Sequence, residues 1–172
     1  KKTSNFLDLA QFQLGKSVVK LEPGVSIFAM LGEIKNELDF KAQSKGIYLN
    51  LEKPQEEFLI KADREKLKAA IFNIVDNSVK YTNQGGVAIK LIDGDTVKII
   101  VSDTGIGIPK DRISTIFDTM FDRSEQAKKT ASGAGVGLYL STQIIKEHGG
   151  KVWAESEGEG KGSAFYVEMD AV

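Results

Sequence analysis

The chain has 172 residues, of which 23 are lysine or arginine and 24 are aspartate or glutamate, for a formal net charge of -1. A charge so close to zero gives no general attraction to nucleic acid or to an anionic membrane, and we predict contact with neither. The sequence has no cysteine and one histidine, which excludes disulfides, thiolate zinc sites and metal sites built from several imidazoles. No apolar run approaches the about 20 residues that span a bilayer. We predict a cytoplasmic fragment; membrane anchoring of a longer parent protein stays open.

The first half of the chain predicts alternating helices and strands. An apolar pattern that stops at Gly15 predicts a helix end, so we assign 1–16 to a separate short unit and 17–172 to the main domain. In chain order we then predict a strand over 18–21, a turn at 22–24, a helix over 26–44 with Ser26 as N-cap, strands over 47–51 and 58–60, and the longest helix, from Asp63 to about Thr82.

The second half predicts mostly strands. A hairpin is expected over 87–92 and 97–101, a short helix over 110–117, a helix over 135–148, and closing strands over 152–155 and 164–168 around a glycine-rich turn. Strands and helices do not alternate strictly, which excludes a Rossmann fold. The expected fold is α+β: a two-layer α/β sandwich, with a mixed sheet of about five strands covered on one face by three helices.

Two glycine clusters flank a mostly polar stretch. The first is 103–109, Asp-Thr-Gly-Ile-Gly-Ile-Pro, and the second is 132–138, Ser-Gly-Ala-Gly-Val-Gly-Leu. Alternate glycines allow positive φ angles and let a ligand approach the main chain, and phosphate is the usual ligand of such loops. Either cluster alone is weak evidence, since bulges and flexible loops also carry alternate glycines.

Three polar residues on the long helix border its apolar stripe. Asn73, Asn77 and Lys80 fall within about 60° on a helical wheel. A carboxamide oxygen suits Mg²⁺ that already carries phosphate, and an ammonium one turn further on can hold a phosphate oxygen. Asn77 is therefore our candidate metal ligand, and the alternative is that these side chains are merely solvated.

Two further residues carry alternative interpretations. Asp103 ends a predicted strand, where its carboxylate can accept a hydrogen bond from the amine of adenine, or can simply close an Asx turn with Gly105. His148 follows an apolar helix and precedes Gly149, which favours a helix C-cap over a catalytic role.

Four motifs in this order resemble a known family. They are Asn73-(three residues)-Asn77-Ser-Val-Lys-Tyr-Thr, the 103–108 segment, Ile-Phe-Asp at 116–118, and Gly-Ala-Gly-Val-Gly-Leu at 133–138. Over about residues 20–170 the chain resembles the ATP-binding catalytic domain of sensor histidine kinases. Gyrase, heat-shock protein 90 and mismatch-repair ATPases share its Bergerat fold.

The resemblance implies a nucleotide site and a mobile lid. Asn77 would bind Mg²⁺ and Asp103 the adenine of ATP, with Asn73, Asn77 and Lys80 as the catalytic set. The implied nucleotide-binding residues are Asn73, Asn77, Lys80 and Tyr81 on the helix, Asp103, Gly105, Gly107 and Ile108 after the strand, Arg123 in the lid, and Gly133, Gly135, Val136, Gly137 and Leu138 at the second cluster. The lid would run over 108–135, with 122–132 mobile in the absence of nucleotide.

The sequence departs from the family pattern in the lid. The usual Phe-x-x-Phe is one residue longer between Phe117 and Phe121, which leaves the role of Arg123 open. The second cluster starts with Ser132, and Ala134 stands where threonine is common. Because alanine has no hydroxyl, the resemblance implies that a contact from this position to phosphate is lost.

The implied reaction is transfer of the γ-phosphate of ATP to a histidine on a dimerisation helix, of which 1–16 would be the end. The phosphoacceptor histidine would lie elsewhere in a homodimeric parent, and a response regulator would act downstream. In the related ATPases a glutamate stands one turn before the metal-binding asparagine; here Asn73 lacks that basicity, so water attack should be slow. The alternatives are a degenerate nucleotide-binding signalling module and a serine-phosphorylating anti-sigma-factor kinase.

Overall fold

The computed structural model describes residues 19–117 and 134–171. Within these residues the chain forms seven strands and three helices. In order they are β1 (Glu22–Ser26), α1 (Ile27–Ser44), β2 (Tyr48–Leu51), β3 (Leu59–Ala62), α2 (Arg64–Lys80), β4 (Gly86–Ile92), β5 (Thr96–Asp103), α3 (Ala134–Glu147), β6 (Lys151–Glu155) and β7 (Ser163–Asp170). The predicted unit 1–16, the 122–132 segment and Gly133 lie outside the described residues and stay predictions.

The strands of the larger sheet follow the order β2-β4-β5-β7-β6. β2 is parallel to β4, and the other neighbours are antiparallel. β1 and β3 form a separate antiparallel pair. The predicted mixed sheet is confirmed, and so is the β4–β5 hairpin.

One face of the larger sheet packs against the helices. In β4, Val87, Ile89 and Leu91 are buried while Lys90 and Ile92 are exposed, which is the alternation of a half-buried strand. The predicted stripes of α1 and α2 are also buried: Ile27, Leu31, Ile34, Leu38 and Ala42 on one helix, and Leu67, Ile71, Ile74, Val75 and Ser78 on the other. The two-layer arrangement with three helices on one face is confirmed for the described residues.

The predicted helix starts are confirmed by their caps. Ser26 Oγ accepts from Ala29 N at 3.2 Å, and Asp63 Oδ1 accepts from Lys66 N at 3.3 Å. The prediction that the Asp63 helix is the longest is wrong, because α2 has 17 residues and α1 has 18. Tyr81 is the C-cap of α2. Its carbonyl accepts from Ile106 N, which lies in the loop after β5.

Three local predictions are corrected. The strand expected over 18–21 lies further along the chain, at Glu22–Ser26, so the turn expected at 22–24 belongs to β1, whose pairing with β3 shifts between Glu22 and Val25. Gly24, with φ 77°, absorbs that irregularity, so the strand continues on both sides. The short helix expected over 110–117 is a run of turns. Arg112 N donates to Pro109 O, and Thr115 N and Ile116 N both donate to Arg112 O. The segment ends at buried Phe117, whose ring meets Phe165 edge-on, so core contacts hold it in place.

None of the helices in the described part of the chain combines the length and the apolar character that a membrane crossing requires.

Candidate functional site

The polar residues of α2 line up beside its buried stripe, as predicted. Asn77 is 3% exposed, and Asn73 and Lys80 are half-buried. Among the described residues no hydrogen-bond partner reaches Asn77 Nδ2. A buried amide left in this state costs about 1–3 kcal/mol, a cost that a bound ligand would remove.

Lys80 presents an ammonium at the same end of α2. Its side chain is 30% exposed, and Nζ lies 3.4 Å from Asp76 Oδ2. An ammonium carries three donors, so this one long ion contact leaves donors for an anion. Tyr81 is buried, and its carbonyl accepts from Ile106 N at 3.0 Å, which ties the end of α2 to the first glycine cluster.

Asp103 is the last residue of β5, as predicted, and is 8% exposed. Its Oδ1 accepts from Gly105 N at 2.9 Å and from Ser163 N at 3.2 Å, and its Oδ2 accepts from Ser163 Oγ at 2.9 Å. The Asx turn is therefore formed. A carboxylate has about four acceptor positions, so these three bonds orient Asp103 without exhausting it.

Gly105 and Gly107 are required by the protein's own backbone. A Cβ at Gly105 would overlap the Tyr81 carbonyl oxygen and come within 2.8 Å of Thr82 Oγ1. Gly107 has φ 75°, and a Cβ there would overlap the Gly158 carbonyl oxygen. The glycines thus let the loop lie against neighbouring main chain, a reason that the sequence pattern did not provide.

The glycine-rich turn before β7 also forms hydrogen bonds with the 103–108 loop. Gly160 N donates to Ile106 O at 2.7 Å, and Ile108 N donates to Ser156 Oγ at 3.0 Å. Sequence reasoning missed Ser156 and Ser163 as supports of the 103–108 loop. Strand pairing locates Ser163, which it places opposite Asp103. Ser156 follows the end of β6 and carries no such signal.

The structure describes the remaining predicted nucleotide-binding residues to different extents. Ile108 and Leu138 are buried in the core, so a ligand could contact them through the main chain. Gly135, Val136 and Gly137 lie in the first turn of α3. Arg123 lies outside the described residues.

His148 has a structural role, as the sequence indicated. Its Nδ1 lies 2.8 Å from Ile144 O, to which it donates, and its Nε2 accepts from Asp63 N at 3.0 Å. The ring therefore joins the last turn of α3 to the N-cap of α2.

No group of three or more His, Asp or Glu side chains that could hold a metal occurs in the described ranges. A metal at Asn77 would therefore need further oxygen ligands from other groups. Mg²⁺ meets this condition, because it usually takes only one or two ligands from the protein beside those of phosphate. Two surface grooves lie elsewhere. One of about 540 Å³ lies on the open face of the sheet beside Lys90 and Tyr166, and one of about 360 Å³ lies between Phe117, α3 and β6.

Comparison with known proteins shows the family to which the chain is similar. The model of the family described as "Histidine kinase-, DNA gyrase B-, and HSP90-like ATPase" matches residues 62–172. The aerobic respiration control sensor protein ArcB of Escherichia coli (strain K12) is 32% identical over 173 residues, which cover 98% of this chain and 22% of ArcB.

Solved structures share the fold. Full-length ShkA in complex with AMPPNP superposes with a TM-score of 0.78 at 29% identity, covering 98% of this chain and 36% of that one. Histidine kinase ThkA in complex with response regulator protein TrrA gives a TM-score of 0.77 at 22% identity, covering 99% of this chain and 48% of that one. The chain thus spans about a fifth of ArcB and about a third of ShkA. It belongs to the family of histidine kinase-, DNA gyrase B- and HSP90-like ATPases, as a catalytic domain of the histidine kinase type.

Proposed function

We propose that this domain binds Mg-ATP and donates the γ-phosphate to a histidine on the dimerisation helix of a parent two-component sensor kinase. The observation that carries the proposal is the buried Asn77 amide, which lacks a partner within the described residues at the end of α2 where Lys80 presents its ammonium. The 1–16 segment would then be the end of the dimerisation helix and 17–172 the catalytic domain. The parent would be a homodimer, and a response regulator would receive the phosphate.

The residues present fit Mg²⁺ and two parts of ATP, its phosphates and its adenine. A turn of the Asn77 amide plane exchanges its nitrogen and oxygen, so this side chain can offer the hard oxygen ligand that Mg²⁺ prefers. When bound, the metal supplies positive charge that offsets the charge on the phosphates. Lys80 would hold a phosphate oxygen, and Asp103 would accept from the adenine amine in an orientation set by Ser163.

The residues also favour transfer over hydrolysis. Asn73 lies one turn before Asn77 on α2, and an amide cannot take a proton from water. The γ-phosphate would therefore survive until a histidine of the parent chain attacks it. In phosphoryl transfer of this kind the protein contributes mainly positioning and charge stabilisation.

The direct test is to mix the domain with the histidine-bearing helix hairpin of its parent chain and Mg-ATP, and to measure acid-labile phosphate on the hairpin. We expect transfer by the wild type and none by Asn77→Ala. Asn50→Ala, which changes an exposed asparagine on the open face of the sheet, is the matched control and should transfer normally. Tight ATP binding without transfer by the wild type would contradict the proposal and favour a signalling module.

Asn73→Glu tests the division of labour between transfer and hydrolysis. We expect basal ATP hydrolysis to rise, because the new carboxylate can act as a general base. Unchanged hydrolysis, measured as released phosphate in a variant that still binds ATP, would contradict this account of Asn73.

A further inference from the structure

The Asp76 carboxylate lies between two lysines on different helices. Its Oδ1 accepts from Lys41 Nζ of α1 at 2.6 Å, and its Oδ2 lies 3.4 Å from Lys80 Nζ of α2. The Asp76 side chain is 17% exposed, so solvent screens it only in part. One half-buried carboxylate therefore acts on the ammonium that we expect to bind phosphate.

The two contacts are unequal. At 2.6 Å the Lys41 contact is a short charge-assisted hydrogen bond, whereas at 3.4 Å the Lys80 contact is a looser ion pair. Lys41 thus supplies the strong partner of Asp76, and Lys80 keeps most of its donors. Without Lys41 the carboxylate would draw Lys80 towards itself and would repel a polyphosphate nearby.

A third lysine near this carboxylate has a different task. Lys45 Nζ donates to the carbonyl oxygens of Val79 and Lys80 at 2.6 and 2.8 Å, and so caps the C-terminal end of α2. Burial lowers the pKa of Lys45, the neighbouring charge of Lys41 lowers it further, and Asp76 raises it. Because Lys45 is bound to main-chain carbonyls, Lys41 is the lysine of α1 that bonds to Asp76 directly.

We propose that Lys41 is a positioning residue for phosphate binding: it keeps Asp76 neutralised, so that Lys80 is available to a phosphate oxygen of ATP. This rests on the proposed function, in which Lys80 contacts phosphate. Lys41 belongs to none of the four sequence motifs, and it lies 35 residues before Asp76 in the chain. Its role would depend on charge and would be felt by the phosphates but not by the base.

The test is a double-mutant cycle read by ligand affinity. Lys41→Met should weaken Mg-ATP binding about three- to tenfold in calorimetry, while the affinity for adenosine, followed by NMR titration, stays unchanged. Lys41→Arg, which keeps the charge, should retain most of the affinity. Asp76→Asn should bind Mg-ATP at least as well as the wild type, and the double variant Lys41→Met/Asp76→Asn should recover the affinity that Lys41→Met loses.

Three results would overturn this inference: no loss in Lys41→Met, an equal loss for adenosine, or a double variant as weak as Lys41→Met. Lys80→Met separates the inference from the function beneath it. If Lys80→Met lowers Mg-ATP affinity while Lys41→Met does not, the role of Lys41 alone is wrong. Unchanged affinity in Lys80→Met would instead contradict the proposed phosphate contact.

Discussion

The two ends of α2 differ in how their polar groups are satisfied. At the N-terminal end Asp63 accepts from Lys20 N at 3.0 Å and from Lys66 N at 3.3 Å, and its own N–H donates to His148. Arg64 bonds to Glu33, and Lys68 lies 3.2 Å from Glu33 and 2.6 Å from Glu37. At the C-terminal end Asn77 Nδ2 and Ser78 Oγ are buried with no hydrogen-bond partner among the described residues.

This difference indicates that the two ends of α2 have different roles, the N-terminal end in stability and the C-terminal end in ligand binding. A buried polar group without a partner is disfavoured in folding, so its presence needs a compensating use. The N-terminal end is completed by the protein itself, and changes there should affect stability. The C-terminal end has capacity for a ligand at Asn77, and changes to the groups that face the site should affect binding. Changes there that disturb the backbone or alter side chains buried in the core should affect stability.

The largest effect is expected where the C-terminal end meets the 103–108 loop. Gly105→Ala places a Cβ on the Tyr81 carbonyl oxygen and beside Thr82 Oγ1. We expect a loss of about 2–3 kcal/mol in the free energy of unfolding, because the collision is with backbone that cannot move aside cheaply. Chemical denaturation of the variant measures this.

Gly32→Ala is the matched control for that substitution. Gly32 lies within α1, and a Cβ there would have nothing within 4 Å. Stability should rise by about 0.5–1 kcal/mol, since alanine replaces glycine in a helix. If both alanine variants had the same stability, close packing of the loop against α2 would be refuted.

At the N-terminal end, removal of a group that is already paired should destabilise. His148→Leu deletes the acceptor of the Asp63 N–H and the donor to Ile144 O, and we expect a loss of about 1–2 kcal/mol. Thermal unfolding is the measurement, with Glu147→Leu at the exposed neighbouring position as control. A His148→Leu variant as stable as the control would show that the ring does not join the two helices.

At the C-terminal end, removal of the Ser78 hydroxyl should stabilise. Ser78→Ala deletes a fully buried group without a hydrogen-bond partner in the described residues, and alanine favours a helix, so we expect a gain of about 1 kcal/mol. Thr82→Val is the counterpart, because its Oγ1 donates to Ser78 O at 2.8 Å, and it should lower stability. The comparison of the two ends would fail if Ser78→Ala were the less stable of the pair.

The smallest effect concerns acid stability at the N-terminal end. Hydrogen bonds from Arg64 and then Lys68 lower the pKa of Glu33 below its ordinary 4.5. Its contribution is therefore complete above that value and disappears as the pH falls through the lowered pKa of the folded state. Since Glu33 is 45% exposed, the contribution is small.

Glu33→Gln should thus flatten the acidic limb of the curve of unfolding free energy against pH, because it removes a small stabilisation near pH 7 and leaves the stability at the acid end unchanged. Urea unfolding between pH 3 and pH 7 measures this, and Glu56→Gln on an exposed loop is the control. If the acidic limb were identical in the two variants, the ion pairs of Glu33 would not stabilise the N-terminal end of α2.

Local periodicity and capping chemistry in the sequence were enough to predict many of the helices, their caps and the placement of several site residues. The stripes of α1 and α2, the caps Ser26 and Asp63, and the placement of Asn73, Asn77 and Lys80 beside the stripe depend on residues within a few turns of one another. The position of Asp103 at the end of a strand could be predicted in the same way. Such features follow from the 3.6-residue and two-residue repeats of helix and strand.

Only the tertiary structure decided what surrounds those residues. Ser163 holds Asp103 across 60 residues of chain through strand pairing, and Lys41 reaches Asp76 because α1 lies beside α2. The turns over 110–117 replace a predicted helix because core contacts outweigh local propensity there. Gly105 illustrates the division: its place in a glycine cluster is visible in the sequence, but the neighbour that requires it, the Tyr81 carbonyl, is brought there by the fold.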